Sequence, residues 1–146
     1  MTQLKAAPLA ALAFALAASG HAAAEAARRP VEPIRFARGA SGAEARGAVV
    51  RGERALHSVE ARAGQRMSLR IASPEDNAVF QVYAPGAVPG TGGDGALEVA
   101  GEALPGAGEG DDAARWTGVL PRSGAYLVVV GATRGNATYR LAVEIR

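Results

Sequence analysis

The chain has 146 residues, with 16 basic and 14 acidic residues for a formal net charge of +2, and it contains no cysteine. This length suits a single folded domain, and the missing cysteine excludes disulfides, thiolate nucleophiles and thiolate metal sites. Because charges of both signs alternate along the chain and form no basic stripe, we predict no nucleic-acid partner.

The first element in chain order is an export signal. Lys5 supplies a positive end, residues 6–18 form an apolar run, and small residues surround Ala22 and Ala24. These features are typical of a signal peptide, so we predict residues 1–24 as the signal, with cleavage between Ala24 and Glu25. The apolar run is too short to span a bilayer. The sequence therefore predicts a periplasmic or secreted protein without a membrane span.

A single domain over residues 34–146 follows a short lead-in. Residues 25–33 contain two prolines and no hydrophobic periodicity, which predicts a flexible N-terminal segment. Ile34 and Phe36 then point the same way in a short strand. Alternating or β-branched residues predict further strands near 45–50, 56–61, 67–71 and 77–84.

The middle of the domain is rich in glycine, alanine, proline and acidic residues. We predict a long mobile loop over residues 86–114, with Leu97, Val99 and Leu104 in a short edge strand. Regular structure resumes at 115–120, where Trp116 and Val119 are expected in the core.

Two strong strands end the chain. Residues 125–130 are apolar enough to be buried on both faces, and residues 138–145 place alternate apolar side chains on one face. Seven to eight short strands with regular turn signals predict an all-β fold, an antiparallel β-sandwich.

Catalytic chemistry finds little support in the residues. His57 is the one histidine after the predicted signal, and a triad of Ser123, His57 and Asp111 lacks a nucleophile elbow. Asp94, Asp111 and Asp112 lack the spacing of a calcium loop. We therefore predict a protein that is not an enzyme and that holds no cofactor or metal.

Three stretches carry a resemblance to a known family: FARGASGAEARGAVV from Phe36, VEARAGQRMSLRI from Val59 and LPRSGAYLVVV from Leu120, followed by the terminal strand YRLAVEI. The sequence resembles the periplasmic inhibitors of g-type (goose-type) lysozyme, a family similar to bacterial pre-peptidase C-terminal β-sandwich domains. The resemblance implies a β-sandwich whose surface loops block the substrate cleft of a g-type lysozyme, which would be its protein partner.

The resemblance also implies a set of partner-binding residues. Ser123, Gly124 and Tyr126 match the family's SGxY, and Arg134 matches the first arginine of the loop before the last strand, with Asn136 beside it. An arginine or hydroxyl on a rigid hairpin can pair with the essential acidic residue of a glycan hydrolase and exclude the sugar. Two alternatives stay open: Tyr126 as a structural corner residue that bonds backbone, and Arg134 as a solvated turn residue.

A rival interpretation comes from another class. The domain could be a non-catalytic ligand-binding or accessory β-sandwich of the cell envelope. It would then bind glycan or calcium through the acidic region 86–114, and Asp94, Asp111 and Asp112 would be its important residues.

Overall fold

The computed structural model describes residues 29–146, so the predicted signal peptide and its Ala24/Glu25 cleavage site lie outside the described residues. This part of the chain is all-β, and none of it forms a helix long and apolar enough to cross a membrane. Its ten strands are β1 Val31–Pro33, β2 Gly42–Val49, β3 Ala55–Ala61, β4 Arg66–Ala72, β5 Ala78–Tyr83, β6 Val88–Thr91, β7 Leu97–Ala100, β8 Arg115–Val119, β9 Gly124–Ala132 and β10 Ala137–Ile145.

The strands form a sandwich of two four-stranded sheets. The first sheet has the order β1-β3-β9-β5, the second has the order β2-β10-β4-β8, and β6 pairs only with β7. Every strand pair is antiparallel except β1 with β3, which is parallel. The predicted all-β sandwich is confirmed, with one parallel edge strand and the β6–β7 hairpin added to it.

The core lies between the sheets and follows the two-residue period of the strands. Leu69 of β4 and Leu141 of β10 face it from the second sheet, and Val59 of β3, Phe80 of β5 and Val128 of β9 face it from the first. Strand β9 is buried on both faces, as its apolar run predicts. Its other face belongs to a smaller cluster of Leu56, Tyr83, Leu127 and Val129, covered by residues of the β6–β7 hairpin and the chain that follows it.

The region 86–114 departs from the predicted loop. It forms the β6–β7 hairpin and then a segment that bonds the edge of β5, with Val82 donating to the carbonyl of Ala107 at 2.8 Å. Leu97 and Val99 are in β7 as expected, but Leu104 lies in no named strand and is buried. The Gly- and Pro-rich composition did not predict this ordered structure, because contacts with the first sheet stabilise it and local propensity does not.

Two smaller expectations need correction. The first strand covers Val31–Pro33 and not Ile34 and Phe36, so the lead-in predicted over 25–33 includes three residues paired with β3. Val119 was expected in the core but is 57% exposed, whereas Trp116 packs against the core. Three positions separate these two residues, so an extended strand must turn them to opposite faces.

A buried polar contact joins the two sheets. His57 of β3 and Tyr139 of β10 are both almost fully buried, and the His57 Nε2 lies 2.7 Å from the Tyr139 hydroxyl. Gly47 pairs with Tyr139 across β2 and β10, and a Cβ there would lie 2.6 Å from that hydroxyl oxygen. The missing side chain at Gly47 therefore lets the tyrosine reach across to His57.

Candidate functional site

The predicted binding residues fall into two groups at opposite ends of β9. Ser123 immediately precedes this nine-residue strand and Arg134 follows it by two positions. At about 3.3 Å per residue, the eight steps of this strand alone separate its two ends by about 26 Å. We call the loops 50–54, 73–77 and 133–136 the Arg134 end, and the loops 37–41, 62–65 and 120–123 the Ser123 end. One compact contact cannot include both groups.

At the Arg134 end, a buried asparagine braces the loop between β9 and β10. The Asn77 Nδ2 donates to the carbonyl of Arg134 at 2.6 Å and to that of Asn136 at 2.8 Å. The backbone of Thr133 in turn donates to the carbonyl of Asn77 at 2.9 Å. Because Asn77 is only 5% exposed, these bonds are partly shielded from water and brace the four-residue loop.

The Arg134 side chain is exposed and has no salt bridge within residues 29–146. One guanidinium nitrogen donates to the carbonyl of Glu75 at 3.1 Å, which orients the group. The Glu75 carboxylate is occupied elsewhere: it accepts from the Ser73 hydroxyl and from the backbone of Thr138. Hydrogen bonds from its own backbone and from Ser73 lower the pKa of Glu75, so it stays ionised. The remaining guanidinium donors are available for an external acceptor.

Asn136 connects this loop to the next one. Its Oδ1 accepts from the backbone of Arg51 at 2.9 Å, which joins the β9–β10 loop to the β2–β3 turn. The exposed Arg51 adds a second cation to this end, with its backbone held by that bond. Sequence reasoning missed Arg51, Glu75 and Asn77 in this site, because only the folded chain brings their loops beside residue 134.

The Ser123 end uses its family-matching residues to build the fold. The Ser123 hydroxyl accepts from the backbone of Ala63 at 2.9 Å. Gly124 has φ +139°, and a Cβ there would lie 3.0 Å from the Pro85 side chain. Both the backbone and the available space therefore require glycine at this position.

Tyr126 has the geometry of a corner residue. It is 0% exposed, and its hydroxyl donates to the carbonyl of Arg122 at 2.6 Å while accepting from the Arg122 backbone at 3.1 Å. Its burial favours the corner alternative over a direct contact with a partner. The corner alternative describes the geometry.

The acidic residues of the region 86–114 bond their own turns. The Asp94 carboxylate accepts from the backbone of Ala96 at 2.9 Å, and that of Asp111 accepts from Gly108 at 2.7 Å. Residues 29–146 contain no group of three or more His, Cys, Asp and Glu side chains able to hold a metal ion. His57 and Ser123 bond other groups, so the triad considered above is not assembled. The calcium alternative gains no support from this arrangement.

The fold and its surface define a class: a β-sandwich that presents a rigid, cationic loop with an oriented arginine. No protein-family model matches the chain, and no curated protein sequence matches it significantly. Among solved structures it is similar to PliG of Aeromonas hydrophila, a periplasmic lysozyme inhibitor of g-type lysozyme. That structure is 34% identical and has a TM-score of 0.63, with 80% of this chain and 96% of that chain covered.

Two further PliG structures share the fold. A PliG mutant of Escherichia coli is 18% identical, with a TM-score of 0.56 and coverage of 82% and 100%. PliG of Salmonella Typhimurium is 21% identical, with a TM-score of 0.52 and coverage of 78% and 96%. The Aeromonas match shows the family: this chain belongs to the PliG family of periplasmic g-type lysozyme inhibitors, as its resemblance predicts.

Proposed function

We propose that this protein is a periplasmic inhibitor of a g-type lysozyme and catalyses no reaction itself. The observation that carries this proposal is the 34% identity to Aeromonas PliG over 96% of that chain. An inhibitor needs a preformed surface complementary to the enzyme's cleft, and a β-sandwich supplies it by fixing loops at the ends of rigid strands.

We place the lysozyme contact at the Arg134 end. A glycan hydrolase keeps at least one essential carboxyl group in its cleft, and an arginine can bind a carboxylate through two parallel hydrogen bonds. The Arg134 loop meets this need because Asn77 holds its backbone and Glu75 orients its guanidinium. A side chain held in place before binding loses little conformational entropy in the complex.

The Ser123 end is the weaker candidate for that contact. Its three family-matching residues are already used: Ser123 and Tyr126 bond backbone, and Gly124 meets a steric requirement. In this proposal they maintain the sandwich, while Arg134 and Asn136 supply the surface that touches the enzyme.

Lysis of peptidoglycan by goose-type and chicken-type lysozymes, with and without the protein, tests the proposal. We expect stoichiometric inhibition of the goose-type enzyme only. Arg134→Ala should weaken it roughly 30- to 100-fold, or about 2–3 kcal/mol, without changing the melting temperature.

The matched control is Arg38→Ala. Arg38 is also an exposed turn arginine followed by a glycine with positive φ, but it lies at the Ser123 end. The Arg38→Ala variant should inhibit the goose-type lysozyme as strongly as the parent protein does. Equal inhibition by the parent and Arg134→Ala would move the contact away from this loop, and no inhibition by the parent would reject the function.

A further inference from the structure

A groove opens at the Ser123 end of the sandwich, which is the end opposite to the Arg134 loop. Its volume is about 440 Å³, within the range of small-molecule sites. Its lining is apolar at Phe36 and Ile145, and the polar side chains of the lining, here called the rim, are Ser41, Glu60, Arg62 and Gln65. The proposed lysozyme contact at the Arg134 end makes no use of this surface.

Hydrogen bonds fix the walls of the groove on both sides. In the β3–β4 turn, the backbone of Arg62 donates to the Gln65 Oε1 at 2.7 Å, and the backbone of Ala63 donates to the Ser123 hydroxyl at 2.9 Å. On the opposite wall, the backbone of Ile145 donates to the carbonyl of Ser41 at 2.8 Å. The groove therefore exists before any ligand arrives, which lowers the entropic cost of filling it.

We propose that this groove binds a pyranose glycan of the N-acetylated amino-sugar class. A pyranose ring has an apolar C–H face that can lie on the half-buried Phe36 ring, and its hydroxyl and acetamido groups need donors and acceptors around that ring. The rim supplies both kinds: the Gln65 amide nitrogen and the Arg62 guanidinium donate, and the Glu60 carboxylate accepts.

The same walls argue against a peptide ligand. An extended peptide binds by pairing its backbone with an open strand edge, but the backbone N–H groups of this turn, at residues 62–65, are already bonded. Gly64 adds to the bonds above by donating to the carbonyl of Leu120 at 2.8 Å. Glu60 and Arg62 place opposite charges on the rim, so the groove has no strong preference for a charged ligand.

Binding is measured by co-sedimentation with insoluble peptidoglycan and by titration with a soluble β-1,4-linked N-acetylglucosamine tetramer, which carries no peptide. Phe36→Leu keeps an apolar side chain but removes the ring. Gln65→Glu keeps the oxygen that accepts from Arg62 but removes the amide donor. We expect each variant to bind the tetramer roughly tenfold more weakly. Arg115→Ala, an exposed change on β8, is the control and should bind normally.

Any of three outcomes would overturn the proposal. The first is that the parent protein does not bind the tetramer, and the second is that both groove variants bind it as well as the parent does. The third is that peptides of peptidoglycan, and not the tetramer, compete for binding to peptidoglycan. The melting temperature of Gln65→Glu separates loss of the site from loss of the fold. The result is independent of the lysozyme assay, because Phe36 and Gln65 lie at the end away from Arg134 and their variants should still inhibit the enzyme.

Discussion

The buried contact between the sheets predicts that acid destabilises the fold. His57 is 2% exposed, its Nε2 bonds the Tyr139 hydroxyl, and its Nδ1 has no hydrogen-bond partner. Burial lowers the pKa of His57 below its usual value of about 6.5, although Glu32 partly opposes this shift. Protonation would place a positive charge in a largely apolar core, so burial disfavours the charged form of this histidine in the folded protein.

The sign of the effect follows from proton linkage. Below about pH 6.5 the unfolded chain binds a proton at His57 while the folded chain does not, so stability falls as pH falls. The slope is at most about 1.4 kcal/mol per pH unit, and it ends once the pH passes the lowered pKa of the folded state. Above about pH 7.5 this histidine makes almost no pH-dependent contribution, because it is then neutral in both states.

Urea unfolding at pH 7.5, 6.5 and 5.5 measures the effect. The free energy of unfolding should fall by at most about 0.4 kcal/mol between the first two values, and by up to about 1 kcal/mol more at the third. His57→Gln keeps a polar side chain but cannot titrate, so its unfolding free energy should change much less over the same interval. Parallel losses in the parent protein and in this variant would refute the role of His57.

Two further substitutions test the packing and the loop brace. Gly47→Ala would drive a methyl group into the Tyr139 hydroxyl, and denaturation should show a loss of about 1–3 kcal/mol; an unchanged stability would contradict the close approach described here. Asn77→Ala leaves the carbonyls of Arg134 and Asn136 without their donor, so we expect a loss of about 2 kcal/mol together with weaker lysozyme inhibition. Full inhibition by Asn77→Ala would show that the loop needs no brace.

Sequence periodicity predicted the strands that carry the core, and it failed where tertiary contacts decide. Met67, Leu69 and Ile71 alternate with polar residues and were placed on one face correctly. The β6–β7 hairpin has four-residue strands rich in small residues, and it is ordered because it covers the second cluster on the first sheet. The contact between the hairpin and the first sheet is tertiary and cannot be predicted from local propensity, so the composition suggested a loop.

The separation of the two predicted site groups was present in the sequence. Ser123 and Arg134 flank one long apolar strand, and the two ends of an extended strand cannot share one contact. The bracing role of Asn77 could not be predicted in the same way, because 57 residues separate it from the carbonyl of Arg134. Such contacts depend on which loops the sheet order brings together.

The geometry of the Ser123 end gives the SGxY stretch a structural role, whether or not it also contacts a partner. In this chain its serine and tyrosine bond backbone and its glycine avoids a clash, and any sandwich with the same corner has the same three needs. Selection for a partner would instead act on exposed residues whose bonds are incomplete, as at Arg134. Differences in inhibition between related proteins should therefore follow the length and charge of the β9–β10 loop, while the SGxY corner stays the same.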